Sequence, residues 1–538
     1  MKKSNHILFI FFIISFLSTY SSTAMSEAFN CIAFSENLLL SEKDPNYFPY
    51  SYHVEPTLVI TANGTIFAGW KDAESHNGIG KRVSFTRSVN NGTSWSEPFL
   101  MPFPLGLEWK AGQSDPWLTW DEEHETLYYA YLEYKEDYFI NLSGFSQITV
   151  AKSRDYGRSW SITPASEGIG FADKETITVS PDGTVYMVYD DVDFSSPDTD
   201  TYVRLTRSTD GGETFEEVSV ITDSISRPIT PFAPYIATDS HGHVFVAWMQ
   251  YTANDSLGYL TWGDVYLAYS TDMGETFSEP IDINPDSENC SGTGFIVGRG
   301  TFPVICFDAQ DRLYALWAGK YDLDHNAYWD VFIKYSDDYG QTWSPRYRVN
   351  PRSDWDQWHP EMAIDSHGRC HIVYYDMYEK CTEFCPYYRM IEFADNLTGT
   401  PIFYDPIPIS STYTDYLFRR PGEYFAIKMD STDRPHVVWT QSTRCLYLNC
   451  EILNIFYAQG LSESEIPTPT TATGTSTALT MITTSTSTSI FSTTAQHISS
   501  IMTSISSKIS TSTPSLGVIP ILLVVGWLFL LKRKKIKP

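Results

Sequence analysis

One sequence unit recurs seven times along this chain, and that repetition constrains the fold more than any other feature. Each copy contains a short apolar strand, a turn with Asp or Gly, and a second strand that ends in an aromatic residue, a pattern typical of a β-hairpin. The repeats predict one continuous repeat architecture rather than the three or four domains that a length of 538 residues would indicate. The copies begin at Pro56, Pro116, Glu175, Pro234, Pro303, Pro360 and Phe425.

A second signature follows a third strand in most of these units and reads Ser-x-Asp-x-Gly-x-Thr/Ser-Trp/Phe. Its Asp side chain can accept backbone N–H bonds across the turn, its Gly supplies a positive φ, and its aromatic ring packs into the sheet. The sixth unit keeps only a remnant from Asp395 to Gly399, and the seventh unit has none. The Asp position of the five copies is held by Asn90, Asp155, Asp210, Asp272 and Asp338.

These turns resemble the Asp box of BNR-repeat proteins in the sialidase superfamily, and the resemblance covers about residues 50–460. It implies an all-β fold, a β-propeller of four-stranded blades, in which the Asp box is structural and lies away from the catalytic face. Seven units favour seven blades, although sialidases have six, so a six-bladed ring with a divergent extra unit is the alternative. The seventh unit lacks a fourth strand, which residues near Cys31 to Leu40 could supply by pairing the two ends of the chain.

Candidate site residues gather on the opposite face, where the long loops and the starts of the first strands lie. The residues just before the repeat starts should converge near the axis, where ionisable groups could carry out acid/base or nucleophilic chemistry at a glycosidic bond. The alternative is that the mouth of a channel is polar because it is wet. The predicted catalytic residues are Tyr424, Glu361, Asp115 and Glu55, and the predicted substrate-binding residues are His53, Lys174, Arg299, His359 and Arg420.

The resemblance to sialidases implies three arginines that bind a substrate carboxylate, a Tyr–Glu pair as nucleophile, and an Asp as acid/base. Tyr424 with Glu361 or Glu423 is the best match for the Tyr–Glu pair. The first arginine of the family lies in a Phe-Arg-Ile-Pro motif that opens a first strand, and here Val54 occupies its place. This departure argues against sialidase activity itself.

The formal charge of −28 is the sum of two opposite parts of the chain. Residues 26–465 hold 29 basic and 65 acidic residues, a net charge of −36, and such a body does not bind nucleic acid. The same charge would repel the carboxylate of a sialic acid. A second interpretation is that acidity simply keeps the surface solvated.

The two ends of the chain predict an exported protein that is held at a membrane. Residues 1–25 have the basic start, short apolar stretch and small residues of a signal peptide. Residues 26–465 would be an extracellular glycoprotein domain at the cell surface, and residues 466–515, of which 29 are Ser or Thr, a disordered stalk. Residues 516–531 are predicted to be a transmembrane helix and residues 532–538 a basic cytoplasmic tail. The alternative is a sorting signal that is removed after export.

All eight cysteines precede the stalk and are expected to pair outside the cell. The chain has no CxxC pair and no zinc spacing, so we expect no metal and no cofactor. An acidic run at residues 190–200 could ligate Ca²⁺, but it fits no EF-hand spacing, and a solvated acidic loop is the alternative. The predicted disulfides are Cys381–Cys385, Cys445–Cys450, Cys290–Cys306 and, by elimination, Cys31–Cys370.

The preferred hypothesis is a membrane-anchored extracellular protein that binds or hydrolyses surface carbohydrate, with a carbohydrate or glycoprotein as its ligand. Aromatic residues of the long loops, such as Trp262 and Tyr328, could stack on sugar rings or could pack the loops together. The alternatives are a non-catalytic adhesion or recognition module and a structural surface-coat protein.

Overall fold

A computed structural model describes residues 29–41, 52–74, 80–103, 111–135, 146–166, 170–193, 200–222, 229–254, 259–285, 302–320, 328–378, 383–392, 401–410, 414–415, 424–442 and 453–466. The chain divides into two compact units, Met1–Pro467 and Thr468–Pro538, and all of these residues belong to the first. The predicted signal peptide, transmembrane segment and cytoplasmic tail lie outside them. Within the ranges given, no helix has the length and apolar character needed to cross a membrane.

The first half of the described chain consists of two short strands followed by four antiparallel units. The short strands are β1 (Ala33–Phe34) and β2 (Leu38–Leu39). The first two units contain β3 (Tyr52–Ile60), β4 (Ile66–Ala73), β5 (Gly80–Ser88) and β6 (Phe99–Leu100), then β7 (Ala111–Asp121), β8 (Thr126–Lys135), β9 (Ser146–Ser153) and β10 (Ser161–Pro164). The next two contain β11 (Phe171–Val179), β12 (Val185–Asp193), β13 (Asp200–Ser208) and β14 (Glu216–Val220), then β15 (Ile229–Thr238), β16 (Val244–Asn254), β17 (Tyr259–Ser270) and β18 (Ile281–Asp282).

The second half contains three further units and one short 3₁₀ helix, Glu463–Glu465. The fifth unit contains β19 (Val304–Phe307), β20 (Leu313–Lys320), β21 (Trp329–Ser336) and β22 (Tyr347–Arg348). The sixth contains β23 (Gln357–Ile364), β24 (Cys370–Tyr378), β25 (Glu383–Glu392), β26 (Ile402–Phe403), β27 (Ile407–Pro408) and β28 (Thr414–Asp415). The seventh contains β29 (Ala426–Met429), β30 (Pro435–Ser442) and β31 (Leu453–Leu461).

Each unit is an antiparallel meander in which consecutive strands are hydrogen-bonded neighbours, except that β26, β27 and β28 of the sixth unit all pair with β25. The seventh unit is completed from the other end of the chain: β1 and β2 both pair with β31, with Ala33 opposite Leu461 and Leu38 opposite Tyr457. The first and seventh units also share one parallel pair, Tyr52 with Leu453. The prediction that the two ends of the chain pair is therefore confirmed.

The first strands of the units lie side by side in cyclic order. β3 contacts β7, and the contacts continue through β11, β15, β19, β23 and β29, which in turn contacts β3. This order gives a propeller-like all-β fold in which the seven first strands surround a common centre. The predicted all-β class is confirmed. Four of the six sheets have the predicted four strands, whereas the sixth unit has six and the first and seventh units share one nine-stranded sheet.

The aromatic residue that ends the second strand of each repeat packs the units together. At all seven positions this side chain is buried, since none exposes more than a small fraction of its surface. Aromatic rings contribute large apolar areas to a core, so one such ring per unit gives each interface a shared anchor. The seven residues are Trp70, Tyr131, Tyr189, Trp248, Trp317, Tyr374 and Trp439.

The Asp-box turns have the predicted structural role. In the fifth unit, Asp338 Oδ1 accepts hydrogen bonds from the Thr342 N–H and the Ser336 hydroxyl, both at 2.8 Å, and Oδ2 accepts one from the Thr342 hydroxyl at 2.6 Å. Gly340 adopts φ +82° to make the turn. Equivalent bonds, led by the threonine hydroxyl, lower the pKa of Asp210 and of Asp272 to about 2. Asp155 and Asn90 form the same turn.

Two of the predicted disulfides are wrong in this structure. Cys31, Cys306 and Cys370 are free thiols. Cys31 lies beside the seventh unit, where its thiol donates to Ala33 O, whereas Cys370 begins β24 in a different hydrophobic cluster. Pairing by elimination failed because sequence does not place these two clusters relative to one another. The pairs Cys381–Cys385 and Cys445–Cys450 each include a residue outside the described ranges and remain predictions, and Cys290 also lies outside them.

The acidic run at residues 190–200 begins in a strand and is not a solvated loop there. Asp190 and Asp191 belong to β12 and are buried. Asp190 Oδ2 accepts the Ala233 N–H at 2.9 Å, and Asp191 Oδ2 lies 2.8 Å from Arg204 Nε. Asp190 Oδ1 has no hydrogen-bond partner among the described residues, and Asp198 lies outside them, so a Ca²⁺ site in this run stays a prediction.

The Asp box predicts that replacing Asp338 destabilises the protein more than replacing the adjacent Asp337 does. Asp338→Ala removes three hydrogen bonds to a charged acceptor and should lower the free energy of unfolding by about 1–2 kcal/mol. Asp337 instead forms an exposed ion pair with Arg312 (Nε–Oδ1 2.6 Å), so Asp337→Ala should change it by less than about 1 kcal/mol. Urea denaturation of both variants measures the difference, and equal losses would contradict a structural role for the box.

Candidate functional site

The first strands share a β-bulge at one end, and the bulges create the candidate site. The hydrogen-bond register shifts between Val54 and Thr57 in β3, and β7, β11, β15 and β23 shift at the same repeat position. The bulged residue has a positive φ, which is strained for any residue except glycine. Such strain persists only where packing holds it, and it is often found at functional sites. The five residues are Glu55 (φ 57°), Asp115 (49°), Lys174 (55°), Ala233 (50°) and His359 (47°).

Two buried ion pairs lie at these bulges, one between the second and third units and one within the first unit. Lys174 Nζ lies 2.6 Å from Asp115 Oδ1, and Lys71 Nζ lies 2.6 Å from Glu55 Oε1. Burial alone would raise the pKa of Asp115, but the ammonium groups of Lys174 and Lys71 outweigh it and hold this pKa well below its ordinary value. Burial alone would likewise lower the pKa of Lys71, but Glu55 and Asp115 outweigh it and the pKa is raised. Asp115 is therefore ionised at neutral pH.

Tyr424 lies against the Asp115–Lys174 pair. Its hydroxyl is 3.5 Å from Asp115 Oδ1, and Lys174 Nζ lies 5.5 Å from the centre of its ring. Trp117 meets the tyrosine ring edge-on at 5.8 Å and Phe302 lies 5.6 Å from it, both between ring centroids. Tyr424 is only half-buried, so it is a polar side chain of this cluster that solvent and ligands can reach.

A second polar group, Tyr235 with Glu361, lies on the other side of Trp117. The Tyr235 hydroxyl donates to Glu361 Oε1 at 3.0 Å, and the Tyr235 and Trp117 rings meet edge-on at 5.4 Å. Burial raises the pKa of Glu361 to about 7, even though Lys428 and the Tyr235 hydrogen bond act in the opposite direction. Glu361 is thus a carboxyl group that holds or releases its proton near neutral pH.

Both polar groups border one open cavity with about 400 Å³ of empty space. Aromatic rings and prolines form most of its wall, and the polar groups enter between them, as in many small-molecule sites. A second space of about 260 Å³ adjoins Trp117 and Glu361 from another side and includes Lys428. The wall of the larger cavity includes Trp117, Lys174, Tyr235, Phe302, His359, Glu361 and Tyr424.

Two further buried carboxyl groups lie beside this site. Burial raises the pKa of Glu175 well above its ordinary value, and Asp115 adds to the effect. Burial also raises the pKa of Asp190, in the neighbouring strand, well above its ordinary value, and the charge of Asp173 adds to the effect. Both oxygens of Glu175 lack a hydrogen-bond partner among the described residues. Burial thus favours the protonated, uncharged form of both groups, and Glu175 lies close enough to Asp115 to feel its charge.

The structure brings together five of the nine predicted site residues, namely Asp115, Lys174, His359, Glu361 and Tyr424. Glu55 pairs with Lys71 at the neighbouring bulge. His53 is instead buried in the first unit, where its Nδ1 lies 2.5 Å from Asp72 Oδ1. Arg299, Arg420 and Glu423 lie outside the described residues. The expected pairing of Tyr424 with Glu361 differs from the geometry, because Tyr235 is the hydroxyl partner of Glu361 and Tyr424 approaches Asp115.

Sequence reasoning missed Trp117, Tyr235 and Lys71. The first two share one repeat position with Glu361, two residues after the bulge, where the side chain again faces the centre. Aligning the repeats at that position would have found them. Lys71 lies in a second strand, and no repeat signal marks it.

The raised pKa of Glu361 predicts a loss of stability with rising pH. The unfolded chain releases this proton near pH 4.5 and the folded protein near pH 7, so stability is full below pH 4.5 and falls as pH rises to 7. Glu361→Gln cannot ionise and should gain about 3 kcal/mol relative to the wild type between pH 4 and pH 8.

Urea denaturation at the two pH values measures this gain. Tyr235→Phe is the matched control: it keeps the titrating carboxyl group and removes a hydrogen bond that lowers its pKa, so its decline should be at least as steep as that of the wild type. A Glu361→Gln variant whose stability follows the wild-type pH profile would show that Glu361 is ionised in the folded protein.

Comparison with known proteins adds one family match. Residues 334–345, which contain the Asp box of Asp338, match the family model of the BNR/Asp-box repeat. No curated protein matches the chain.

Solved structures with a similar chain path include a protein of unknown function from Dyadobacter fermentans DSM 18053 (16% identity, 65% of this chain and 95% of that chain, TM-score 0.42). Others are a PL25 ulvan lyase (12%, 76% and 94%, TM-score 0.46) and the intramolecular trans-sialidase from Ruminococcus gnavus (13%, 78% and 96%, TM-score 0.41). Residues 334–345 are thus similar to a BNR/Asp-box repeat, and the Asp-box turns described above have the same hydrogen-bond pattern in four other units.

Proposed function

We propose that this protein is a glycoside hydrolase that binds an uncharged sugar in the cavity between Glu361 and Tyr424. The observation that carries the proposal is the pair of carboxyl groups on this site with opposite protonation: Asp115 is ionised, whereas burial raises the pKa of Glu361 to about 7. Environments that separate two carboxyl pKa values are the usual way in which one site supplies both an acid and an anion.

Glu361 is the general acid in this proposal. It lines the cavity, it holds its proton up to about pH 7, and the Tyr235 hydroxyl fixes its orientation. Its proton would pass to the glycosidic oxygen as the bond to the leaving sugar breaks, and a water molecule would then form a bond to the anomeric carbon and return a proton to Glu361. Tyr424, supported by ionised Asp115, would face the positive charge that develops on the sugar ring, and Trp117 would stack against the ring between them.

The charges of the site favour an uncharged sugar over a sialic acid. Lys174 and Lys71 are each bonded to a carboxylate, and Val54 is buried where the first sialidase arginine would lie. The strongly acidic body also repels a negatively charged sugar.

We also propose that the first strands close into a seven-bladed ring, and that residues 516–531 hold this exported domain at the cell surface above its Ser/Thr-rich stalk.

One specific observation favours the rival function, a non-catalytic carbohydrate-recognition module. The Asp115 carboxylate is buried and already bonded to Lys174, which leaves it less free to assist chemistry than an exposed anion. In that case the cavity would bind a sugar without cleaving it. A glycan array and a turnover assay on the same preparation separate the two functions.

The proposal predicts hydrolysis of at least one uncharged aryl glycoside by the full-length protein, with kcat falling as pH rises through about 7 because Glu361 loses its proton. Glu361→Gln should lower kcat at least about 100-fold. A panel of neutral glycosides, uronides and sialosides tests the substrate class.

The matched control is Glu133→Gln. Burial also raises the pKa of Glu133 to about 7, but this residue is bonded to Gln113 and Thr149 within the second unit and is not part of the cavity wall. Its variant should keep the wild-type kcat. Absence of turnover on every glycoside, or an unchanged rate in Glu361→Gln, would refute the hydrolase; binding without turnover that is lost in Trp117→Ala would establish the rival.

A further inference from the structure

A cluster of two histidines and two aspartates lies far along the strands from the candidate site. The turn that joins β15 to β16 reads Asp239-Ser240-His241-Gly242-His243, at the opposite end of β15 from its bulge. Ligand atoms of Asp239, His241 and His243 all lie within 4.8 Å of one another. This cluster contains no cysteine, so the cysteine spacing of the chain gives no sign of it.

The turn fixes the Asp239 side chain so that one oxygen faces both imidazoles. Asp239 is buried, and its Oδ1 accepts the backbone N–H groups of His241 (2.9 Å) and His243 (2.8 Å). Its Oδ2 lies 2.7 Å from His243 Nδ1 and 3.9 Å from His241 Nδ1. The two rings are nearly parallel, with their centroids 5.7 Å apart. The ring nitrogens are therefore held on one side of a buried carboxylate.

The fifth unit places a second carboxylate beside this three-residue group. Asp311, in the turn between β19 and β20, accepts the Ser240 N–H on Oδ1 at 2.8 Å, and its Oδ2 accepts the Ser240 hydroxyl at 2.6 Å and lies 3.3 Å from His241 Nδ1. Four ligands around a tetrahedral Zn²⁺ are about 3.3 Å apart, given metal–ligand distances of about 2.0–2.1 Å. The spacings of 3.3 and 3.9 Å approach that value, and the 2.7 Å hydrogen bond would open when a metal replaces its proton.

The sixth unit repeats this turn with one informative difference. Ser366 and His367 approach Asp433 of the seventh unit as Ser240 and His241 approach Asp311, with His367 Nδ1 3.1 Å from Asp433 Oδ2. The position of His243, however, is taken by Arg369, whose Nε lies 2.5 Å from Asp365 Oδ2. The chain thus places its own cation on the buried carboxylate of the sixth unit. In the fourth unit the corresponding place holds the imidazole of His243, a side chain that can ligate a metal.

We propose that Asp239, His241, His243 and Asp311 bind one Zn²⁺, which fastens the turn of the fourth unit to that of the fifth. Two imidazole nitrogens and two carboxylate oxygens form a four-coordinate set that suits zinc, and the ion neutralises the charge of the two carboxylates. The site is structural, because all four positions around the metal come from the protein. It does not depend on the proposed hydrolase, so either can fail alone.

The test measures zinc content in the full-length protein after chelation and re-equilibration with micromolar Zn²⁺. The wild type should hold one zinc per chain by mass spectrometry of the metal, and zinc should raise its thermal midpoint. His241→Ala/His243→Ala should hold none at this site and lose the thermal shift. His367→Ala is the matched control in the sixth unit and should retain one zinc per chain and the full shift. Cobalt in place of zinc should give the visible absorption of four-coordinate Co²⁺ in the wild type.

A second variant keeps the test decisive if the double substitution does not fold. His243→Arg copies the arrangement of the sixth unit, where Arg369 already occupies this position, and should fold while binding no zinc. Zinc content that is the same in wild type, His243→Arg and the double variant would overturn the proposal. So would a wild type that takes up no zinc, or a loss of zinc in His367→Ala equal to that in the double variant.

Discussion

The candidate site depends on the repeated β-bulge of the first strands. Each bulge forces a residue with a side chain into the left-handed region, at a cost of about 1–3 kcal/mol. That cost is met by the packing of seven first strands around one centre and by a buried aromatic ring in every unit. The same packing therefore stabilises the first strands and the site. It holds Asp115, Lys174 and His359 in conformations that an isolated hairpin would not keep.

The protonation state of each carboxyl group in the site depends on whether a lysine forms an ion pair with it. Lys174 contacts Asp115 at 2.6 Å and keeps it ionised, whereas Glu361 meets a tyrosine hydroxyl, and burial then controls its proton. Trp117 separates the two groups without isolating them, because its edges touch the rings of both Tyr235 and Tyr424. A single cavity thus has one permanently charged wall and one wall whose charge changes near neutral pH.

Most of the fold was predictable because it is periodic. The phase of the repeats marked the hairpins, the Asp-box turns, the bulged positions and the pairing of the chain ends, each of which is fixed within one unit or between neighbouring units. The predictions that were wrong concern contacts between residues that are far apart in sequence. The partner of Glu361 is Tyr235, two units away, and Cys31 lies in a different cluster from Cys370. Asp190 was expected in a loop because aspartate is rarely buried, whereas in this protein it lies in a buried strand.

The pairing of β1 and β2 with β31 has a consequence for when this domain can form. Residues 33–39 and 453–461 complete one sheet, so its last hydrogen bonds join segments separated by more than four hundred residues. Contacts of such high sequence separation form late and slowly. A polypeptide that is still being synthesised can build its early hairpins in turn, but β31 must be made before the first segment has a partner. Interrupted synthesis therefore leaves an unpaired strand edge, the feature by which quality-control proteases and chaperones distinguish an incomplete product from a finished one.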